Sequence, residues 1–131
     1  MNPPYAFAIT IAQPLADAVE TLRAALAAEQ MGIVSEVDMQ ATLKAKLGLD
    51  SSPQRLLGLC SPRIAHALVS AEPDIAALLP CGGSIAEPTP GRTRIVLQDP
   101  RVILQASGST QAEVRDALEQ ARTAVQRVTQ R

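Results

Sequence analysis

Residues 5–37, YAFAITIAQPLADAVETLRAALAAEQMGIVSEV, decide how this chain folds. From Tyr5 to Ile11, large apolar and small side chains alternate, which is the period of a half-buried strand. Pro14 then suits the first turn of a helix, where its missing N–H costs nothing. Leu15, Val19, Leu22 and Leu26 follow at helical spacing, with Ala18 and Ala25 on the same face. Gly32 is placed to supply the left-handed residue that stops this helix. Residues 33–37 read as a second strand. The opening is therefore strand, helix, strand.

Beyond it, Asp38 fits the N-cap of a short helix with Met39, Leu43 and Leu47 on one face and Gly48 at its close. The turn residues Asp50-Ser51-Ser52-Pro53 lead into a third strand over residues 55–59, ending at Cys60. Ser61 and Pro62 fit the N-cap and first position of a helix running to about residue 71, and residues 74–79 admit one further helical turn. Residues 84–87 and 92–98 read as a hairpin joined by Pro88-Thr89-Pro90-Gly91, ended by Asp99-Pro100. Thr110 and Glu113 form a capping-box pair for a last helix. On that helix Val114, Leu118, Ala121, Val125 and Val128 make a narrow seam, suited to packing on a sheet or to pairing with a second subunit. The expected fold is a single α+β domain over residues 1–131, with about five strands in a mainly antiparallel sheet and helices packed on one face. The expected order is β-α-β-α-β-α-β-β-α.

Composition narrows the function classes. Twelve basic against thirteen acidic residues give a formal charge of -1, which argues against a phosphate-tracking nucleic-acid binder. Tyr5 and Phe7 are the only aromatic residues, so there is no platform on which bases stack. With one histidine, metal sites built on several histidines and triad hydrolases lose their material. The apolar runs fall short of the ~20 residues of a membrane-spanning helix, and no basic segment precedes an apolar one at the start. Two cysteines in such a chain point to a reducing compartment, and the expected location is the cytoplasm.

Cys60 stands between a predicted strand and the start of a predicted helix. Free N–H groups and the helix dipole there favour a thiolate. The same residue also reads as a small apolar side chain completing the strand 56–59. Cys81 precedes Gly82-Gly83, where a bare backbone either exposes the sulfur and lets amides approach an anion, or simply turns into a strand. The two cysteines are 21 positions apart, which is no redox or zinc-ribbon spacing. Brought together by the sheet, they would form a thiol pair or hold a soft metal across a dimer axis. His66 falls on the flank of its helix away from Ile64, Ala65, Leu68 and Val69, beside Arg63 and Ser70, as a solvent-facing residue or a further metal candidate. Lys44 and Lys46 read as a solvated edge, and Asp38, Asp50, Asp74 and Asp99 occupy helix starts or turns where capping accounts for them. No paired carboxylates or nucleophile elbow stand out, so no catalytic residue is assigned.

Three blocks resemble a known family. They are Asp38-x-x-x-Ala41-Thr42-Leu43-Lys44-x-Lys46-Leu47-Gly48-Leu49-Asp50, Leu57-Gly58-Leu59-Cys60-Ser61-Pro62, and residues 72–81, EPDIAALLPC. With the Tyr5 strand and Asp99-Pro100, they are similar to the bacterial and archaeal domain-of-unknown-function family 302. The resemblance runs from about residue 5 through the last helix. It implies a small α+β domain with a curved antiparallel sheet, a homodimer, and in some members the company of sulfur-handling proteins. Cys60 matches the cysteine of the family's Ala-Cys-Asn-Pro motif and Cys81 that of its Leu-Pro-Cys-Asn-Val motif. Here Ser61 replaces the first asparagine and Gly82-Gly83 replaces Asn-Val, so a hydrogen bond from either asparagine to a ligand is altered.

Three functions follow as expectations. The first is a non-enzymatic thiol-centred module in which Cys60 and Cys81 bind a persulfide, a soft metal or haem. The second is a structural or protein-interaction homodimer with inert, buried thiols and the seam from Val114 to Val128 as its interface. The third, an enzyme acting on a small anion at the Cys81-Gly82-Gly83 loop, lacks a general base nearby in sequence.

Overall fold

Ile95 is buried in the sheet, paired with Ile9 on one side and Ile85 on the other. It belongs to β5 (Arg92–Gln98), which separates β1 (Ala6–Ile11) from β4 (Cys81–Thr89). Beyond β4 come β3 (Gln54–Cys60) and the edge strand β2 (Gly32–Asp38), so the sheet order is β1-β5-β4-β3-β2. Every neighbouring pair is antiparallel. The computed structural model describes residues 1–130. The fold is α+β, with the open antiparallel sheet expected from sequence.

Strand alternation sorts the sheet into two faces. On β5, Thr93, Ile95 and Leu97 are buried, while Arg94, Val96 and Gln98 point the other way and are only partly covered. The buried face carries α1 (Leu15–Ala28) and α5 (Ala112–Thr129), and α3 (Pro62–Ala71) packs against α5. Leu22, Leu26, Leu59, Leu68, Ile85, Leu97 and Val125 form the centre of the core between sheet and helices. The seam of α5 packs wholly within its own chain: Val114, Leu118, Ala121, Val125 and Val128 are all buried. Its alternative use as a subunit interface is thereby corrected.

The short α2 (Met39–Leu47) is held by its ends. Asp38 accepts a hydrogen bond from the Ala41 N–H at 2.9 Å, and Gly48 closes the helix with φ 65°. Both caps are those read from sequence. Burial contributes little, because α2 has no buried residue and Leu47 is 65% exposed.

Other local expectations are corrected. The left-handed residue after α1 is Gln30, at φ 59°, and Gly32 instead opens β2. Ser61 is the N-cap of α3 and Pro62 its first residue, as read from sequence, although the Ser61 side chain makes no capping bond. The residues ahead of Leu79 form a 3-10 helix (Pro73–Leu78). The β4–β5 hairpin is longer than expected, because Thr89 pairs with Arg92 after a bulge and leaves only Pro90 and Gly91 in the turn. Asp99-Pro100 does end β5, yet it also starts α4 (Arg101–Ser107), which the expected order lacks. Asp99 is buried, accepts from the Arg101 N–H at 3.0 Å and pairs with Arg122 at 3.1 Å, whose guanidinium lies 5.4 Å from the Phe7 ring centre. The Thr110–Glu113 capping box does not form. Gln111 is the N-cap of α5, with no side-chain bond to the helix.

Candidate functional site

The chain leaves the sheet at Cys60, the last residue of β3, and re-enters it at Cys81, the first residue of β4. Between them α3 and the 3-10 helix fold back over the end of the strands. Because Leu59 and Cys81 are register partners, the excursion returns beside its own starting point. Neighbouring strands run about 4.8 Å apart, so two cysteines distant in sequence meet at one end of the sheet.

Both line a cavity of about 280 Å³. Leu59, Ile64, Leu68, Leu79 and Leu118 supply most of its wall, and Met31 enters from the junction of α1 and β2. Ser61 is the only hydroxyl-bearing residue of the lining, and no charged side chain contributes to it. Both cysteines are free thiols, Cys60 half-buried and Cys81 buried. Burial pushes the Cys81 thiol up to about 11, and the neighbouring Cys60 adds to the rise. An apolar surround stabilises the uncharged S–H over the thiolate, so Cys81 is protonated at neutral pH and is a poor nucleophile as it stands.

The glycines after Cys81 do not form a loop. Gly82 pairs with Gly58 and Gly83 with Leu57 in the β3–β4 ladder. A Cβ at Gly83 would stand 3.2 Å from Leu97 Cδ2, so close packing explains the missing side chain there. The expectation of a mobile, anion-binding turn at Cys81-Gly82-Gly83 is corrected, and the enzyme reading loses its substrate loop. His66 is exposed on α3, as its helical position predicted, and does not line the cavity. Among the described residues, no three His, Cys, Asp or Glu side chains group as metal ligands.

Sequence reasoning singled out both cysteines and passed over Met31, which lines the same cavity. That side chain is 6% exposed, one residue before Gly32, which pairs with Cys60. No local pattern marks it, since its surroundings come from α3 and α5, far along the chain. A second, polar cavity meets the first at Ser61 and Ile64 and is lined by Glu29, Gln30, Arg63 and Arg127. Its cations are engaged: Arg127 pairs with Glu29 at 3.3 Å and Arg63 bonds the Gln30 side chain at 2.5 Å.

The model of the domain of unknown function DUF302 matches residues 7–131. The chain belongs to the DUF302 family. A crystal structure described as an uncharacterised conserved DUF302 protein from Bacillus stearothermophilus is similar over 98% of each chain, with a TM-score of 0.84 at 18% identity. At that identity the likeness speaks for the DUF302 fold alone. No curated protein matches the chain. Among the described residues, no helix is long and apolar enough to cross a membrane.

Proposed function

We propose that this DUF302 chain is a non-enzymatic, thiol-centred binding module of the reducing cytoplasm, taking a small ligand with a soft centre between Cys60 and Cys81. One observation carries the reading: two free thiols from adjacent strand ends line a single cavity whose other walls, Ser61 and Met31 apart, are hydrocarbon. Such a cavity favours uncharged or weakly hydrated species. A sulfane sulfur carried as a persulfide and a soft metal ion both meet that condition. Haem is the less favoured ligand, since no basic side chain in the lining would pair its propionates.

Native mass spectrometry on protein purified without air tests this reading, after exposure to a polysulfide or to a soft metal salt. Added mass that is lost on mild reduction or chelation, and absent from the Cys60→Ser and Cys81→Ser double variant, is the expected result. Equal uptake by the folded double variant overturns it.

One further observation favours the homodimer reading, at a surface other than the α5 seam. Val37 and Leu56 are register partners on β2 and β3, and they are 45% and 41% exposed at the open edge of the sheet. A second copy covering this pair would bury apolar surface that the single chain leaves wet. Sedimentation velocity on the wild type and on Val37→Lys decides it: a dimer that dissociates in the variant supports the reading, and a wild type that stays monomeric at high concentration overturns it.

A further inference from the structure

We infer that the ligand of the thiol cavity is Cu(I), held by three sulfur atoms, from Met31, Cys60 and Cys81. This rests on the thiol-centred reading and makes it specific.

The topology provides the convergence. Met31 immediately precedes β2, Cys60 ends β3 and Cys81 opens β4, and these three strands are successive neighbours in the sheet. The registers Gly32–Cys60 and Leu59–Cys81 put all three positions at the same sheet end. The chain holds two cysteines and three methionines, and three of these five sulfur-bearing residues line this one cavity. Met1, by contrast, is fully exposed.

Donor chemistry selects the ion. Thiolate and thioether sulfur are soft donors, and together they favour Cu(I). Zinc prefers four ligands from thiolate, imidazole and carboxylate, and this lining offers two thiols with no imidazole and no carboxylate. Calcium and magnesium need several oxygen ligands, of which the lining side chains supply only the Ser61 hydroxyl.

Binding balances without a change in oxidation state: Cu(I) forms one bond to each of the two cysteine sulfurs, and both thiol protons leave to solvent. The Met31 thioether completes the shell without adding charge, while Ile64, Leu68, Leu79 and Leu118 line the cavity around the metal.

The test is an anaerobic titration with Cu(I) against a chromophoric Cu(I) chelator, using the wild type, Met31→Leu and Cys60→Ser/Cys81→Ser. Sulfur counting by X-ray absorption accompanies it, and circular dichroism confirms that each variant is folded. The expected result is one Cu(I) per chain in an all-sulfur shell of three. In Met31→Leu the shell falls to two sulfurs and affinity drops about tenfold or more, and in the double cysteine variant competition with the chelator disappears. Unchanged affinity and sulfur count in folded Met31→Leu overturns the three-sulfur site and leaves the thiol-centred reading standing. A wild type that competes no better than the double cysteine variant overturns Cu(I) altogether. Polysulfide loading in the mass spectrometer then judges the thiol-centred reading separately.

Discussion

A side chain at Gly58 would place its Cβ 2.7 Å from Cγ of Pro80 and closer still to the Ser35 hydroxyl. The absence of a side chain in mid-strand therefore lets the Pro80 ring lie against β3, and Pro80 is bonded to Cys81. Gly58→Ala should destabilise the fold by about 1–3 kcal/mol through overpacking. The displacement should reach the cavity, because Pro80 lines it. Urea unfolding measures the first effect and the alkylation rate of Cys81 the second. A variant with wild-type stability and an unchanged rate contradicts the argument.

The two thiols should differ sharply in reactivity. Cys60 is half-buried at a strand end, whereas Cys81 is 8% exposed and protonated at neutral pH. With iodoacetamide at pH 8, Cys60 is expected to be alkylated in the native protein and Cys81 only after denaturant is added. Peptide mapping of the modified chain gives the order of labelling directly.

The raised Cys81 pKa has a consequence for stability. The folded state keeps this proton between its ordinary value of 9.0 and about 11, while the unfolded chain releases it. Protons bound by the folded form alone make stability fall as pH rises. The contribution is fully present below pH 9 and is lost as pH climbs toward 11, by about 2–3 kcal/mol. Denaturant unfolding of the wild type and Cys81→Ala at pH 8 and pH 11 isolates it, since other alkaline titrations occur in both proteins. A stability difference that does not narrow at the higher pH contradicts the prediction.

Glu87 ties the β4–β5 hairpin to α1. Its carboxylate accepts the Leu15 N–H at 2.9 Å and the Gly91 N–H at 2.8 Å. Those two bonds hold its pKa below the usual 4.5, the Gly91 bond contributing most. A depressed carboxylate pKa stabilises the folded state above the ordinary value, and that stabilisation disappears as pH falls through the lowered one. Glu87→Gln should melt below the wild type at pH 7, and the gap should close on acidification toward pH 3. A gap that stays constant across that range contradicts the clamp.

Leu118 belongs both to the core and to the cavity wall. Leu118→Ala should cost about 2–5 kcal/mol and enlarge the cavity without altering the state of association, because the side chain faces its own chain. Calorimetry and sedimentation together test this. A change in oligomeric state without a loss of stability would restore the α5 seam as an interface.

The parts of this fold legible in the sequence are those whose cause is local. The alternation after Tyr5, the four-three-four spacing of Leu15, Val19, Leu22 and Leu26, and the Asp38 and Gly48 caps of α2 act within a turn or two of themselves. The misreadings share the opposite property. Gly82 and Gly83 look like a turn because glycine carries no alternation to read, and they belong to a strand because Gly58 and Leu57 pair with them across the ladder. The start of α4 was hidden by Asp99-Pro100, two residues that both end β5 and lead into a helix. Both thiols stood out by residue type and position. Their proximity depends on strand register, and the burial of Met31 on helices much later in the chain, so neither could be read from spacing.

The roof over the cysteines is one uninterrupted length of chain, residues 61–80, hung between two adjacent strands of a sheet that is complete without it. A segment attached in this way behaves as a cassette. Substitutions, insertions or a wholesale exchange within it would reshape the cavity while the five-stranded frame and both cysteines stay in place. The shape of the cavity can therefore change faster than the fold that carries it.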